Sequence, residues 1–278
     1  MHSALLLAGQ GFAVEVFEKE ALPGGMLRYY LPEFRFSRKG IEGKVEKLKA
    51  LGVKIHLNSA IGREKPLSNL IEEFDAVVLA SGEWNARKMG VEGEGLKGII
   101  YWTDFLRNFN DKKMESMRGK KVFVVGGGNT AIDCARAAVR LEANTAIAYR
   151  RSREGMPADS NEIEVSEKEG VTIRNNLCPV KVTGTSKVEG IVFEETEGEC
   201  REMKMTGRHL DEEADVIIVA CGQLPNLRVL EGSGFESFEE LPEKVVLAGD
   251  IVNSDKKIAT AVASAVAAIE KVKQITYN

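Results

Sequence analysis

A glycine-rich loop between two apolar segments is the stretch whose residue types and spacing indicate chemistry. It follows the β-branched run Val122 to Val125 and precedes a periodic segment, Ala131 to Leu141, that predicts a helix. The loop has the pattern G-x-G-x-x-A and consists of Gly126, Gly127, Gly128, Asn129, Thr130 and Ala131. In such a loop the first glycine allows a tight turn, the second lets backbone approach a pyrophosphate, and the small last residue lets helix and strand pack closely. Since the helix N–H groups then face the phosphates, the sequence predicts a dinucleotide site.

Two arginines at the end of the next predicted strand indicate which dinucleotide is bound. The strand covers Thr145 to Tyr149 and is followed by Arg150 and Arg151. An NAD site would carry an acidic side chain there for the ribose 2′-hydroxyl, whereas two guanidiniums suit a 2′-phosphate by charge and forked geometry. The pattern therefore predicts an NADP(H) site. The alternatives are that the arginines are surface charge and that the loop is a glycine-rich turn of an unrelated α/β protein.

The length and composition are those of an ordinary globular protein. A chain of 278 residues suits one large or two ordinary domains. The net charge of −4, from 38 basic and 42 acidic residues, gives no electrostatic reason to expect nucleic acid or an anionic membrane as a partner. No apolar run reaches membrane-spanning length, and the first residues lack the features of a signal peptide. We therefore expect a cytoplasmic protein.

The cysteines and histidines show no spacing typical of a metal site or a redox pair. No C-x-x-C sequence is present, which argues against a thioredoxin-type dithiol and against iron–sulfur ligands. Four reduced, mostly buried thiols are the favoured interpretation, and their pairing in space stays open. The residues concerned are Cys134, Cys178, Cys200 and Cys221, with His2, His56 and His209. We predict no metal ligand and no catalytic side chain among them.

An internal repeat indicates that the chain holds two related nucleotide-binding units. The segments Asp75 to Gly82 (DAVVLASG) and Asp215 to Gly222 (DVIIVACG) share an aspartate, five apolar positions, a small residue and a glycine. A second repeated pair ends one strand in Glu18 and the other in Arg150. An acidic residue at that point suits a free ribose diol, as in FAD, and a basic one suits NADP. The sequence therefore predicts one unit for each nucleotide.

The register of the repeat places part of the first unit outside this chain. Glu18 lies 150 − 18 = 132 positions before Arg150, so the counterpart of Gly126 falls about six residues before Met1. We expect the first strand and glycine loop of this unit to be missing, and the chain to begin inside the following helix. Three explanations are open: truncation of a longer gene product, which we favour, a strand supplied by another chain, or no FAD binding.

The predicted architecture is an α/β fold with two Rossmann-like (FAD/NAD(P)-binding) three-layer units, the second inserted in the first. Residues 1–105 and 236–278 are assigned to an FAD-binding-type domain, and residues 106–235 to the NADP(H)-binding domain. Within them, residues 83–120 and 227–241 are predicted to be connectors. Ala259 to Val272 is predicted to be the final helix.

The chain resembles the two-dinucleotide-binding flavoproteins of the pyridine nucleotide-disulfide oxidoreductase superfamily, and closely the glutamate synthase small (β) subunits and their relatives. The resemblance lies in VFEKEALPGGMLRYYLPEFR, FDAVVLASGEWNARKMGVEGE, VGGGNTAIDCARAAVRL with YRRSREGMPA, and LAGDIV, in that order. Three departures stand out. The first glycine loop and the cysteine-rich region that carries iron–sulfur clusters in those subunits are absent, and Asn253 to Ile258 (NSDKKI) replaces a short glycine-bearing turn.

The resemblance implies binding roles for residues of both units. In the NADP(H) unit it implies the glycine loop for the pyrophosphate, the arginine pair for the 2′-phosphate, and Gly222 near the nicotinamide. In the FAD unit it implies Glu18 with Lys19 at the adenosine ribose, Gly25, Leu27 and Arg35 along the flavin, Ser81 and Gly82 near the pyrophosphate, Gly249 and Asp250 at the ribityl or phosphate region, and Ala259 and Thr260 at the flavin C2 carbonyl. Alternative roles are a solvated strand end for Glu18, ion pairs for Arg28 and Arg35, and a helix cap for Asp250.

The implied activity is hydride transfer between NADPH and FAD, with the electrons passed to a partner, for which an iron–sulfur subunit is the expected candidate. The cofactors supply the chemistry, and no acid or base side chain is required. Two rival functions are a diaphorase that uses a diffusible acceptor and a non-catalytic NADP(H)-binding or structural subunit with an incomplete FAD site. The final acceptor, the direction of electron flow, FAD retention and the oligomeric state, including a homodimer, stay open.

Overall fold

The computed structural model describes residues 1–198, 202–253, 255 and 257–277. Cys200, the first residues of the predicted strand CREMKM, and parts of the predicted segment NSDKKI lie outside the described residues. The chain divides into two compact units. Unit 1 comprises Met1–Arg28, Phe36–Asn85 and Pro225–Asn278, and unit 2 comprises Tyr29–Arg35 and Ala86–Leu224.

Helices and strands alternate along most of the chain. The α-helices are α1 (His2–Gly9), α2 (Gly25–Tyr29), α3 (Lys39–Ala50), α4 (Leu67–Glu73), α5 (Trp102–Asn110), α6 (Asn129–Arg140), α7 (Ser160–Lys168) and α8 (Ile258–Tyr277). The strands are β1 (Glu15–Phe17), β2 (Lys54–His56), β3 (Val77–Leu79), β4 (Asn85–Ala86), β5 (Ile99–Tyr101), β6 (Lys121–Val125), β7 (Asn144–Ala148), β8 (Thr172–Arg174), β9 (Leu177–Thr183), β10 (Gly190–Glu197), β11 (Lys204–Glu213), β12 (Val216–Val219), β13 (Gln223–Leu224) and β14 (Val245–Leu247). None of the described helices is long and apolar enough to cross a bilayer.

Unit 2 is built on a five-stranded parallel sheet in the order β5-β12-β6-β7-β8. The central strands β6 and β12 are buried on both faces, as a parallel sheet requires, because layers cover both sides. Phe123 and Val125 of β6 join Ile217 and Val219 of β12 in one buried cluster. Val122 and Val124, which alternate with them, are also buried and therefore face the opposite layer.

The two faces of this sheet are covered by different layers. Val182, Ile191 and Phe193, from the antiparallel sheet β11-β10-β9, belong to the same cluster as Phe123 and Val125. Helix α6 packs on β6 and β7, and α5 packs on β5 and β12. Unit 2 therefore consists of helices, a parallel sheet and an antiparallel sheet, in three layers.

Unit 1 contains two separate parallel ladders, β1 with β2 and β3 with β14. In the part of unit 1 that the structure describes, β1 and β3 each pair on one side only. Helix α8 packs on α1, β3 and β14 through a cluster that includes Leu7, Val246 and Ile269. The strands β1 and β2 contribute to a second cluster with Leu48 and Val53.

Two predictions about the middle of the chain are wrong. Residues 83–120 are not a connector, because they contain β5 and α5. Helix α5 buries Trp102, Phe105 and Leu106 on one face. The division between the units falls at 85/86 and 224/225, and not at 105/106 and 235/236, since β5 pairs with β12 and so belongs to unit 2.

The final helix extends to Tyr277, beyond the predicted end at Val272.

The segment Tyr29–Arg35 belongs to unit 2 although its neighbours on both sides belong to unit 1. The Asn110 side chain donates to the carbonyl oxygens of Tyr29 (3.0 Å) and Leu31 (3.3 Å). The Tyr30 ring packs edge-on against Trp102. Hydrogen bonds to the backbone and a buried aromatic contact therefore hold this crossing segment on α5.

The end of the crossing segment joins an ion-pair network between α6 and α7. The Arg35 guanidinium lies 3.0 Å from Asp133 of α6 and 2.9 Å from Glu162 of α7. Arg136 contacts Glu162 at 2.6 Å and Glu169 at 2.8 Å. Burial raises the pKa of Asp133 to about 7, although the nearby Arg35 guanidinium acts in the opposite direction. Asp133 is therefore the member of the network whose charge changes near neutral pH.

We expect Asp133 to make the folded state less stable as the pH rises. Its pKa is higher in the folded chain than in the unfolded one, so the folded state binds more protons between these two values and loses stability through them. From about pH 5 to about pH 8 this group should lower the free energy of unfolding by about 2–3 kcal/mol. Denaturant unfolding of wild type and Asp133→Asn over this range measures the effect, because the variant lacks this titration.

The matched control for this experiment is Asp104→Asn, which changes an exposed carboxylate of α5. Its stability profile should run parallel to that of the wild type. A parallel profile for Asp133→Asn as well would show that Asp133 keeps an ordinary pKa in the folded chain.

Candidate functional site

The glycine loop lies at the carboxyl end of the central strand β6 and leads directly into α6. Gly126 has a φ of +146°, and a Cβ at this position would lie 2.2 Å from the Ala220 carbonyl oxygen. The same Cβ would lie 3.4 Å from the Ala131 Cβ. The close approach of the chain after β12 therefore requires glycine at 126, and the tight packing of α6 requires a small residue at 131.

Gly127 and Gly128 differ in what surrounds them. A Cβ at Gly127 would lie 2.3–2.7 Å from the Tyr149 ring, whereas the nearest atom to a Cβ at Gly128 is 3.9 Å away on Pro157. The Tyr149 ring is buried, and its hydroxyl donates to the Gly155 carbonyl oxygen at 2.7 Å. Sequence reasoning treated Gly127 as the variable position of the motif, but the structure makes it sterically constrained, whereas a Cβ at Gly128 would make only an ordinary contact.

The start of α6 has the features of an anion site. Gly128 is its N-cap, and no described side chain caps the helix. The Asn129 side chain instead holds the loop before α7, since Nδ2 donates to Asp159 Oδ2 (3.2 Å) and Oδ1 accepts from the Asp159 N–H (3.0 Å). The N–H groups of Ala131 and Ile132 donate to the Gly128 carbonyl oxygen, at 2.9 and 3.2 Å. Those of Asn129 and Thr130, the first two residues of α6, therefore remain available to a negatively charged ligand.

The arginine pair follows β7 with its backbone fixed and its guanidiniums unpaired. Thr196 Oγ1 donates to the Arg150 carbonyl oxygen (2.8 Å), and the Asn176 N–H donates to that of Arg151 (3.0 Å). Within the described ranges neither guanidinium takes part in an ion pair, and the buried Nε of Arg151 has no hydrogen-bond partner. Arg153, three residues on from Arg150, is instead bound by both oxygens of Glu167, at 2.6 and 2.7 Å.

The chain after β12 faces the glycine loop. Gly222 has a φ of +133°, and its carbonyl oxygen accepts a hydrogen bond from the Arg87 N–H at 3.1 Å. The Cys221 thiol donates to the Val125 carbonyl oxygen at 3.5 Å, and burial raises its pKa to about 11. Gln223 Nε2 donates to Thr130 Oγ1 at 3.3 Å. Sequence reasoning named Gly222 here and missed Gln223.

The described thiols do not form a redox pair. Cys134, Cys178 and Cys221 are all free. Burial raises the pKa of each of them above its ordinary value. Since the thiolate is the reactive form of cysteine, these side chains are poorly suited to redox chemistry at neutral pH.

Four predicted FAD residues of unit 1 share one neighbour, Trp84. Its Nε1 donates to the Ser81 carbonyl oxygen, and Lys19 Nζ lies 3.9 Å above the ring centroid. Gly82 and Gly25 have positive φ, and a Cβ on them would lie 3.2 and 3.9 Å from Trp84. The Ser81 hydroxyl is buried without a hydrogen-bond partner among the described residues. Sequence reasoning did not single out Trp84, which organises this group.

Glu18 ends β1 with its backbone bound on both sides. Its N–H donates to the His56 carbonyl oxygen (2.9 Å), and its own carbonyl oxygen accepts from Ser59 (2.8 Å). Its carboxylate accepts the Glu20 N–H at 3.0 Å. Glu18 is half-buried, and burial raises the pKa of its carboxylate.

The predicted glycine-aspartate segment lies against the last helix. Gly249 has a φ of +82°, and its N–H donates to Ser264 Oγ of α8 at 2.9 Å. The helix begins at Ile258, one residue before Ala259, which is exposed. Thr260 Oγ1 donates to Asp255 at 2.6 Å. Asp250 lies in the short 3₁₀ helix Gly249–Ile251 that precedes these residues.

The predicted flavin segment is divided between the two units. Leu27 belongs to unit 1, where its carbonyl oxygen accepts from Arg38. Arg28 pairs with Glu42 at 2.6 Å. Arg35 belongs to unit 2, where it pairs with Asp133 and Glu162. The ion-pair alternative therefore describes contacts that both arginines make, and the flavin contact predicted for Arg35 stays a prediction.

Comparison with known proteins gives one family and several relatives. The family model described as pyridine nucleotide-disulphide oxidoreductase matches residues 4–265. The NADP(+)-dependent formate dehydrogenase subunit beta of Moorella thermoacetica is 36% identical over 243 residues, which cover 84% of this chain and 34% of that protein. The glutamate synthase [NADPH] small chain of Escherichia coli strain K12 is 30% identical over 294 residues, covering 93% of this chain and 62% of that protein. The chain therefore spans about a third to three fifths of the length of these relatives.

A solved structure confirms the predicted fold class. Mycobacterium tuberculosis FprA in complex with NADPH superposes with a TM-score of 0.83 over 100% of this chain and 82% of that chain, at 19% identity. At this level of identity the likeness concerns the fold. The resemblance to glutamate synthase small subunits, predicted from the motifs, is confirmed by the family match and the relatives.

We predict that alanine at 127 destabilises the protein and that alanine at 128 does not. Gly127→Ala places a methyl group inside the contact distance of a ring that is held at its far end, so the free energy of unfolding should fall by about 2–3 kcal/mol. Gly128→Ala meets open space and should lower it by less than about 1 kcal/mol, the effect of a poorer N-cap. Denaturant unfolding of the two variants measures both values, and equal losses would contradict the packing around Gly127.

Proposed function

Because the chain belongs to the pyridine nucleotide-disulphide oxidoreductase family, we propose that it binds NADP(H) in unit 2 and FAD in unit 1 and transfers hydride between them. The observation that carries the proposal is the arginine pair at the end of β7, which has no ion-pair partner among the described residues. It is followed along the site by the start of α6, which no described side chain caps and which follows a glycine loop. A dinucleotide with a 2′-phosphate satisfies all three features together.

The residues of unit 2 fit NADP(H) as follows. The missing side chain at Gly128 lets a pyrophosphate approach the backbone, and the N–H groups of Asn129 and Thr130 bind its oxygens. Arg150 and Arg151 bind the 2′-phosphate, which supplies an acceptor for the Arg151 Nε that has no partner among the described residues. Gly222 follows Ala220, whose N–H donates to the Val125 carbonyl oxygen beside the loop, and it is assigned to the nicotinamide side.

The residues of unit 1 fit FAD. Glu18 holds the hydroxyls of the adenosine ribose, and the buried Ser81 hydroxyl, with Gly82, faces the pyrophosphate. Gly249 and Asp250 bind the ribityl or phosphate region, and the start of α8 directs its positive end toward the isoalloxazine ring. When bound, the flavin supplies the hydride-accepting chemistry of the reaction.

The protein's own contribution is to bind and orient the two nucleotides. The described residues offer no thiolate that could relay electrons, because the pKa values of their cysteines are raised. We therefore propose that the electrons pass to an acceptor on a partner, which is an iron–sulfur or other redox subunit. Two relatives are subunits by name, one of formate dehydrogenase and one of glutamate synthase, which supports a partner of this kind.

A non-catalytic NADP(H)-binding subunit is the second candidate function. It is favoured by the division of the unit 1 sheet into two separate ladders, β1-β2 and β3-β14, in the part of the chain described. Fewer paired strands beneath a nucleotide site mean fewer fixed backbone donors for it. The flavin content of the protein separates the two candidates.

We predict that Arg150→Gln/Arg151→Gln loses its preference for NADPH over NADH. Each charge-assisted contact to a phosphate contributes about 1.5–3 kcal/mol, so NADPH affinity should fall by about 100-fold or more while NADH affinity changes little. Dissociation constants for both nucleotides, from isothermal titration calorimetry, measure the change.

Arg153→Gln is the matched control, because it removes a nearby guanidinium that is already paired with Glu167. Its NADPH affinity should equal that of the wild type. Equal affinities of the wild-type chain for NADPH and NADH would remove the basis of the 2′-phosphate assignment.

We predict that the purified chain carries flavin and that NADPH reduces it. The visible absorbance of oxidised flavin should be lost on anaerobic addition of NADPH, and more slowly in the Arg150→Gln/Arg151→Gln variant at equal nucleotide concentration, since that variant binds NADPH weakly. A colourless protein that still binds NADPH, and takes up no added FAD, would support the non-catalytic candidate instead.

A further inference from the structure

The Gln223 side chain is the polar group at this site that the proposed contacts do not use. It begins β13, directly after Gly222. Its Nε2 donates to Thr130 Oγ1 of α6 at 3.3 Å. Its Oε1 is buried and has no hydrogen-bond partner in residues 1–198, 202–253, 255 and 257–277. Leaving a buried carbonyl oxygen without a hydrogen-bond donor is energetically unfavourable, so such atoms indicate a missing partner.

The position of Gln223 in the sheet indicates which partner is missing. In the parallel sheet, β7 and β8 lie on one side of β6, and β12 lies on its other side. The loops after β6 and β12 therefore flank the point where the strand order reverses, which is where open α/β sheets bind their ligands. The Ala220 N–H donates to the Val125 carbonyl oxygen at 2.9 Å, so the chain after β12 stays close to the glycine loop.

The same strand order assigns a direction to the bound dinucleotide, given the function proposed above. The adenosine 2′-phosphate is held at the end of β7, and the pyrophosphate lies over the loop after β6. The other half of the molecule must then extend over the end of β12. Its first group after the pyrophosphate is the nicotinamide ribose, whose hydroxyls are hydrogen-bond donors. Gln223 contacts Thr130 in the first turn of α6, beside the proposed pyrophosphate site. It therefore lies close to where this ribose would follow the pyrophosphate.

We propose that Gln223 Oε1 accepts a hydrogen bond from a hydroxyl of the nicotinamide ribose, and that Thr130 orients the amide for it. Gln223 is then a binding residue for the nicotinamide half of the cofactor, next to Gly222. The proposal rests on the proposed NADP(H) site. It gives the nicotinamide half of the cofactor a contact with a side chain, whereas the glycine motif provides only backbone contacts.

Three ligands of increasing length test this contact by calorimetry. Adenosine 2′,5′-bisphosphate carries only the adenosine half, 2′-phospho-ADP-ribose adds the second ribose, and NADP⁺ adds the nicotinamide. In Gln223→Leu we expect about 5–10-fold weaker binding of 2′-phospho-ADP-ribose and NADP⁺, the effect of one neutral hydrogen bond. Binding of adenosine 2′,5′-bisphosphate should not change. Gln223→Met, which is unbranched, serves as a second variant if Gln223→Leu does not fold.

The other outcomes each overturn the proposal. Unchanged NADP⁺ affinity excludes the contact, equal loss for all three ligands shows that Gln223 only positions α6, and loss for NADP⁺ alone places the contact on the nicotinamide ring. Asn85→Leu is the control, because it removes an amide that binds the Pro225 carbonyl oxygen, and it should leave all three affinities unchanged. If the wild-type chain does not bind adenosine 2′,5′-bisphosphate, the NADP(H) site itself is wrong, which is a different result.

Discussion

The close approach of backbone and ring atoms to Gly126 and Gly127 is the constraint on which unit 2 depends. The Ala220 carbonyl oxygen occupies the space of a Cβ at Gly126, and the Tyr149 ring occupies that of one at Gly127. These contacts come from the chain after β12 and from β7, the two neighbours of β6. Because both neighbours are closely packed around the loop, its free N–H groups at the start of α6 are fixed in one direction before any ligand binds.

The ion-pair network around α6 also stabilises this arrangement. Asp133 and Arg136 lie one and two turns beyond the glycine loop, and both are buried. Arg35 comes from the crossing segment and Glu162 from α7, so the network joins two other parts of unit 2 to α6. Breaking one partner of such a network leaves a buried charge, which is more costly than the loss of a surface pair. The helix that faces the ligand is therefore held by charge as well as by packing.

Local patterns predicted much of the fold and part of the site. Residues 122–151 contain the run before Gly126, the loop itself and, after one helix and one strand, the arginine pair. Their order along the sequence was enough to predict strand, loop and helix. Residues whose role depends on distant partners could not be predicted in this way. Tyr149 over Gly127, Trp84 beside Gly82, and Gln223 beside Thr130 become visible only when the chain is folded. Strand β5 was missed because three residues carry too little periodicity, and its pairing with β12 is what moves the domain boundary.

The distribution of carboxylates explains why the arginine pair in particular suits an anion. Arg35, Arg136, Arg140 and Arg153 lie in the same unit and each has a carboxylate within 3.0 Å. Arg150 and Arg151 are the exceptions among these six, although Glu167 and Glu169 lie on the neighbouring segment that binds the others. A guanidinium already bound to a carboxylate must exchange that contact to bind a phosphate, so it gains little, whereas an unpaired one gains the full interaction. In the proposed NADP(H) site, selectivity for a 2′-phosphate therefore depends on keeping acidic side chains away from the end of β7, as much as on placing two arginines there.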